Sequence, residues 1–252
     1  MTNEFILNDS NMELLAFRGN DYKISNKISI HQPSLEEICE YGEKEYYSMV
    51  YMLCAVGADL KFQLYDLGID YTEIDDFTLF YSLLCKSYTQ QQTSIIFGDL
   101  DFSKFQVYKD VDTEDVFMYD IENDIKIDEY TYCLIVNVLR MIHNFKRNDD
   151  IPANETTKQI LIEDAREEYE RNKDKPHHSQ LRNLISTLVN CEGFKYNHNE
   201  VWDMKIYAFM DSIKRISKIK NANLLLQSGY SGFGVNLKEI NKKQIDWLGE
   251  LD

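Results

Sequence analysis

A mainly helical α+β protein, with a small antiparallel sheet in the N-terminal half and a helical C-terminal half, is the fold class this sequence predicts. Three observations lead there. Only 10 Gly and 3 Pro occur among 252 residues, too few turn-formers for an all-β sandwich. Apolar residues recur every three or four positions in several long stretches, the spacing of one helix face. Between them lie short aromatic and β-branched runs that suit strands.

The opening stretch sets Phe5-Ile6-Leu7, Ile24, Ile28 and Ile30 among polar residues and ends at Pro33, a pattern for a hairpin or edge strands. Ser34-Leu35-Glu36-Glu37 then forms a capping box. From it a helix carries Leu35, Ile38, Tyr46, Met49, Val50 and Leu53 as far as Gly57, which can close it in a left-handed conformation. A second helix spans Leu60 to Leu67 and stops at Gly68. Asp75 or Asp76 caps a third, through Phe77, Phe80, Tyr81, Leu84 and Tyr88. Ile95-Ile96-Phe97, Phe102 to Tyr108 and Val116 to Tyr119 predict the small sheet. Asp128 caps the next helix, whose Tyr130, Leu134, Val138, Met141 and Phe145 form a stripe that must be buried.

The polar segment Lys146 to Asn154 contains Pro152 and marks a boundary between an N-terminal α+β domain, 1–146, and a helical C-terminal domain, 155–252, which can pack as a single unit. Beyond it, Glu163 to Arg171 alternates charges on an exposed helix. Ser179 caps a helix from Leu181 to Cys191, closed by Gly193, and Asn199 or Glu200 begins the longest one. Trp202, Ile206, Phe209, Ile213 and Ile216 make a heptad-like stripe along it, equally suited to core or partner surface. Gly229, Gly232 and Gly234 supply a turn, and Ile245, Trp247, Leu248 and Leu251 a terminal amphipathic segment.

Asp and Glu number 43 against 27 Lys and Arg, a net charge of −16, which repels phosphate backbones and anionic lipid. Neither nucleic acid nor membrane is an expected partner. No apolar run reaches the length of a bilayer span, and the first ten residues lack signal-peptide character, so a cytosolic location is expected. The five cysteines lie far apart and read as reduced core thiols.

No catalytic constellation emerges. The acids Asp110, Asp112, Glu114, Asp115, Asp120, Glu122 and Asp124 invite calcium, but the spacing lacks Gly at position six and Glu at position twelve of the loop. His177 and His178 are adjacent and cannot share a metal from one helix turn, and Cys191 and His198 complete no zinc spacing. His31 and His143 suit structural or surface roles. Gly229-Tyr230-Ser231-Gly232-Phe233-Gly234 follows a helix and matches neither a nucleophile elbow nor a phosphate loop. Lys214, Arg215, Lys218 and Lys220 form a basic patch on the polar face of their helix, suited to an acidic protein surface. The expectation is therefore a non-enzyme without cofactor or metal.

Ile28-Ser29-Ile30-His31-Gln32-Pro33 with Leu35-Glu36-Glu37-Ile38, the charged helix Ile160 to Lys175, and Trp202-Asp203-Met204-Lys205 through Ser228-Gly229-Tyr230-Ser231-Gly232 resemble tail-module proteins of tailed bacteriophages that infect Gram-positive bacteria. Proteins of that group are commonly called tail assembly chaperones. The resemblance implies noncatalytic binding during virion assembly, to other tail proteins such as a tape-measure protein, in the host cytoplasm or the virion. A homo-oligomer is a separate option. Residues expected to meet a partner are Trp202, Ile206, Phe209, Ile213, Ile216, Tyr230, Phe233 and Trp247. Two alternatives belong to other classes: a phage-encoded modulator that binds a host protein, and a divalent-metal-dependent hydrolase using acids between Asp99 and Asp128 with His177 or His178 as proton carrier.

Overall fold

The chain is described by a computed structural model that covers residues 10–231, 234, 236 and 239–251, with side chains from residue 14 onward. It is α+β, with two small antiparallel sheets in the N-terminal half and a helical C-terminal half, as the sequence predicts. Phe5-Ile6-Leu7 lies outside the described residues. Helix α1 (Ser10–Phe17) stands where strands were expected, and the hairpin is reduced to β1 (Tyr22–Lys23) and β2 (Ser29–Ile30). The Ser34 box forms: its hydroxyl accepts from the Glu37 amide, and Glu37 Oε2 accepts from the Ser34 amide at 2.6 Å.

The helix expected to run unbroken to Gly57 is two helices, α2 (Leu35–Tyr41) and α3 (Glu43–Cys54), because Gly42 takes φ +105 between them. Gly57 has a different job. A Cβ there would stand 2.2 Å from the carbonyl oxygen of Tyr71, so only Gly admits the chain segment that crosses it. Helix α4 (Lys61–Asp66) stops at Gly68, φ +73, and Asp75 caps α5 (Asp76–Leu79) through the Thr78 amide. That helix widens to a π turn at Phe80–Leu84 and tightens to a 3-10 turn at Cys85–Ser87.

Ile95-Ile96-Phe97 is not a strand. It ends α6 (Gln90–Phe97), launched by a second capping box between Thr89 and Gln92. The cap and the burial of Ile96 and Phe97 against the body override β-branched propensity. Phe102 to Lys104 is a 3-10 turn, and the sheet itself is β3 (Gln106–Lys109), β4 (Val116–Asp120) and β5 (Ile125–Asp128), in the order β3-β4-β5. Asp128 ends β5 and caps α7 (Glu129–His143), while Asn144, at φ 57, closes that helix in the left-handed region.

The buried face of α7 is Tyr132, Ile135, Val136, Val138, Leu139, Ile142 and His143. The predicted stripe shares only Val138 with it, and Tyr130 is exposed. Apolar residues cover a broad arc of this helix, opposite Glu129, Asn137 and Arg140, so two stripes within that arc compete. The one that wins packs against α3, whose Tyr46, Met49, Val50 and Leu53 are fully buried, with His143 bonded to Tyr46. In the C-terminal half follow α8 (Glu155–Asn172), α9 (Gln180–Val189), a 3-10 turn at Glu200–Asp203, α10 (Ile206–Tyr230) and α11 (Lys242–Ile245). The longest helix thus starts nearly two turns later than Asn199 or Glu200, after the chain pairs with residues 33–35. The Leu35 amide donates to Met204 O at 3.0 Å, the Ile206 amide to Pro33 O at 3.0 Å, and Lys205 Nζ to Glu37 Oε2 at 3.1 Å. One continuous hydrophobic core runs from Ala16 to Phe209.

Candidate protein-docking surface

Helix α9 is amphipathic: Leu181, Ile185 and Leu188 are buried, while Arg182 and Ser186 face solvent. Its start is held from the other half of the chain. Glu43, in the first turn of α3, accepts from the Gln180 and Leu181 amides at 3.0 and 2.9 Å, while the Ser179 hydroxyl accepts from the Arg182 amide at 2.9 Å. Three otherwise orphaned helix N–H groups are satisfied, and a carboxylate sits at the positive end of the helix dipole. Between α9, the end of α2 and the turn at Glu200–Asp203 opens a groove of about 770 Å³. Leu181, Ile185, Val189 and Trp202 give it apolar walls, and Glu43, Arg182 and His198 give it polar rims.

The expected partner-facing stripe therefore divides. Ile206 and Phe209 have no exposure and belong to the core, and Ile213 and Ile216 are half-buried against it. Trp202 is half-buried and forms part of the groove wall, with the His198 ring 6.5 Å away. Tyr230 is 80% exposed at the end of α10, and Trp247 is exposed in the terminal segment. Phe233 lies outside the described residues.

The basic patch has an internal use that the sequence did not reveal. Arg215 donates to the carbonyls of Trp247 and Gly249 at 2.7 and 2.8 Å, and Lys218 donates to that of Glu250. The terminal segment is thereby strapped onto α10. Beside the strap, Asp211 faces a second cleft, of about 490 Å³, bounded by Arg140, Met141, Phe145, Tyr207 and Leu251. Burial pushes the Asp211 carboxyl up, against the pull of Arg215 and Lys214.

The histidines are dispersed. His31 lies between Asp21 and Glu37, at 2.7 and 3.2 Å, and His177 stands 4.0 Å from Glu43. His143 is enclosed in the core. Its Nδ1–H donates to Leu139 O at 2.7 Å, so the neutral ring leaves Nε2 to accept from the Tyr46 hydroxyl at 2.5 Å. Burial drives its pKa down to about 4, only partly opposed by the Leu139 bond. Burial also pushes the Cys54 and Cys85 thiols up to about 12 and 11, away from the thiolate that nucleophilic chemistry needs. The acids from Asp110 to Asp124 shape turns. Asp110 accepts from the amides of Asp112 and Thr113, and Asp120 from those of Glu122 and Asn123. No three His, Cys, Asp or Glu side chains among the described residues converge as a metal site. No helix among these residues is long and apolar enough to cross a membrane.

Fold and surface together define an α+β protein with an apolar groove formed where its two halves meet. Residues 171–252 match the family model of the YomV second domain, a phage-associated domain, consistent with a phage protein of Gram-positive bacteria. The matched stretch begins in the last turn of α8 and includes α9, Trp202 and α10. No curated protein and no solved structure matches the chain.

Proposed function

We propose that this protein acts in phage tail assembly, as a noncatalytic binder that holds an apolar helical segment of another tail protein, such as a tape-measure protein, in the groove between α9 and Trp202. The observation that carries this reading is the groove itself, apolar along its walls and polar at its rims, built largely from the stretch similar to a phage-associated domain. An amphipathic helix laid into such a groove buries its apolar face while its charged face stays wet. The net charge of −16 keeps the loaded complex in solution. His143 is enclosed in the core with its ring nitrogens engaged by Leu139 and Tyr46, which fits a role without chemistry. Glu43 supports it too, since its carboxylate is spent on fixing α9.

The test is affinity capture of the tagged full-length chain during phage infection, with captured proteins identified by mass spectrometry. A tail protein is expected with the wild-type chain, and its loss is expected with Val189→Asp or Arg182→Glu, both on the outer surface of the groove. Capture of a bacterial protein in place of any phage protein would replace tail assembly with modulation of the host.

A further inference from the structure

The three-stranded sheet presents two different faces. Met118 and Ile127 point into the core and have no exposure. The register pairs Gln106 with Tyr119, Tyr108 with Phe117, and Tyr119 with Lys126, which puts these five side chains on the opposite face. There Tyr108, Phe117 and Tyr119 are half-exposed. The Tyr108 and Phe117 rings stack, with centroids 5.8 Å apart and planes 20° apart, and Tyr119 stands edge-on to Tyr108 at 6.3 Å. This platform already carries one cation. Lys126 Nζ lies 4.5 Å from the centroid of Phe117, a cation–π geometry.

Beside the platform runs an open edge. β3 is the outer strand of the sheet, and among the described residues no further strand pairs with it. Gln106, Val107 and Lys109 are exposed along it. The loop leaving β3 carries Asp110, Asp112, Glu114 and Asp115, with Val111 almost wholly exposed among them. Lys109 pairs with Glu114, whereas Asp112 and Asp115 have no ion pair among the described residues. In the next turn Glu122 and Asp124 are answered from outside the sheet by Lys104 and Lys27.

We propose that the aromatic face and free edge of this sheet dock an extended arginine- or lysine-rich segment of a partner protein, added alongside β3 as a fourth strand. Main-chain hydrogen bonds to β3 supply register. Alternate side chains of an added strand fall on the aromatic face, where each cation finds rings as Lys126 does. The acidic loop at the end of β3 supplies the complementary charge. Aromatic sheet faces also stack the bases of single-stranded nucleic acid, but phosphates here would meet the carboxylates of the β3–β4 loop, so the peptide is favoured. This inference is independent of the α9 groove and of the tail-assembly reading, since it concerns a different surface and a different partner chemistry.

The experiment is an NMR titration of the full-length chain with an octapeptide alternating Arg and Val. Three other probes run in parallel: its Glu–Val counterpart, the Arg–Val peptide N-methylated at alternate amides, and a short oligothymidylate. Shifts confined to residues 106–120 with the Arg–Val peptide alone are expected. Tyr108→Ser, on the wet face of an edge strand, should weaken binding about fivefold. N-methylation should weaken it about tenfold through the lost edge bonds. The double variant Asp112→Asn, Asp115→Asn should lower affinity at low salt and lose most of the salt dependence. Equal binding of the Glu–Val peptide, preference for oligothymidylate, unchanged affinity in Tyr108→Ser, or shifts centred on α8 would each overturn the proposal.

Discussion

Helix α7 buries seven of its fifteen residues, from Tyr132 to His143, whereas α8, three residues longer, buries Ile162 and keeps its remaining contacts at the surface. α8 lies against α4 and the turn after it, where Arg166 pairs with Asp66 at 2.9 Å, Lys158 with Asp70 in that turn, and Tyr169 approaches the Phe62 ring at 5.3 Å. The first helix is therefore held by exclusion of water and the second mainly by charge and ring contacts at a wet seam. Removing the first should cost global stability. Loosening the second should free one helix and leave the core intact.

The largest expected effect comes from Leu139→Ala, on the buried face of α7. A fully buried leucine truncated to alanine destabilises by about 2–5 kcal/mol, so the midpoint of chemical denaturation should fall for every probe together. Ile162→Ala should instead raise hydrogen exchange along α8 while the amides of α3 and α7 stay protected. If both variants lower the global midpoint equally, the two helices do not differ as described.

Next in size is the acid response of the buried imidazole. In the unfolded chain His143 takes its proton near its ordinary 6.5 and in the folded chain only near 4, so between those values the unfolded state binds more protons. Stability is full above about pH 6.5 and falls as pH drops toward 4, by about 3 kcal/mol from this group. His143→Gln should flatten that slope in denaturation midpoints measured across the window. The carboxylates lie in a separate, lower range. Hydrogen bonds from Lys158 and Thr72 hold Asp70 down to about 2. Glu37, despite the opposing pull of burial, is held near the same value by the Ser34 amide and Lys205. Their contributions are complete above the usual carboxylate range near 4 and fade only as pH falls on toward 2.

The smallest effect should come from the seam itself. Arg166→Gln removes a bidentate pair whose members are both solvent-exposed, so the change in melting temperature should be slight and should shrink further in high salt, through screening. A loss as large as that of Leu139→Ala, unaffected by salt, would remove the distinction between the helices.

The same contrast explains what could be read from the chain. Ser34, Asp75, Asp128 and Ser179 were legible as caps because a cap is local: a side-chain oxygen meets an amide two or three residues away. Gly68 was legible as a terminator for the same reason and takes positive φ, whereas α9 already ends at Val189 with Asn190 as its cap, and Gly193, also at positive φ, belongs to the turn beyond it. The α7 face was not legible, since its apolar arc is wide and only its neighbours decide which part of it is buried. The Thr89-Gln92 box was a local signal too, but the β-branched Ile95 and Ile96 pointed the other way. Strand β5 could have been found from the alternation of Ile125 and Ile127 between polar residues. The groove at α9 had no sequence signal beyond Trp202, because Glu43 and Cys39 reach it from more than a hundred residues away. The tethering of the terminal segment by Arg215 was equally hidden, as main-chain carbonyls leave no mark in composition.

Hydrogen exchange on the full-length chain, alone and with a tail protein captured during infection, bears most directly on the account. Slowed exchange concentrated on α9 and residues 200–203 is the predicted result. Unchanged exchange there, with protection appearing only elsewhere on the chain, would contradict the groove as the proposed docking site.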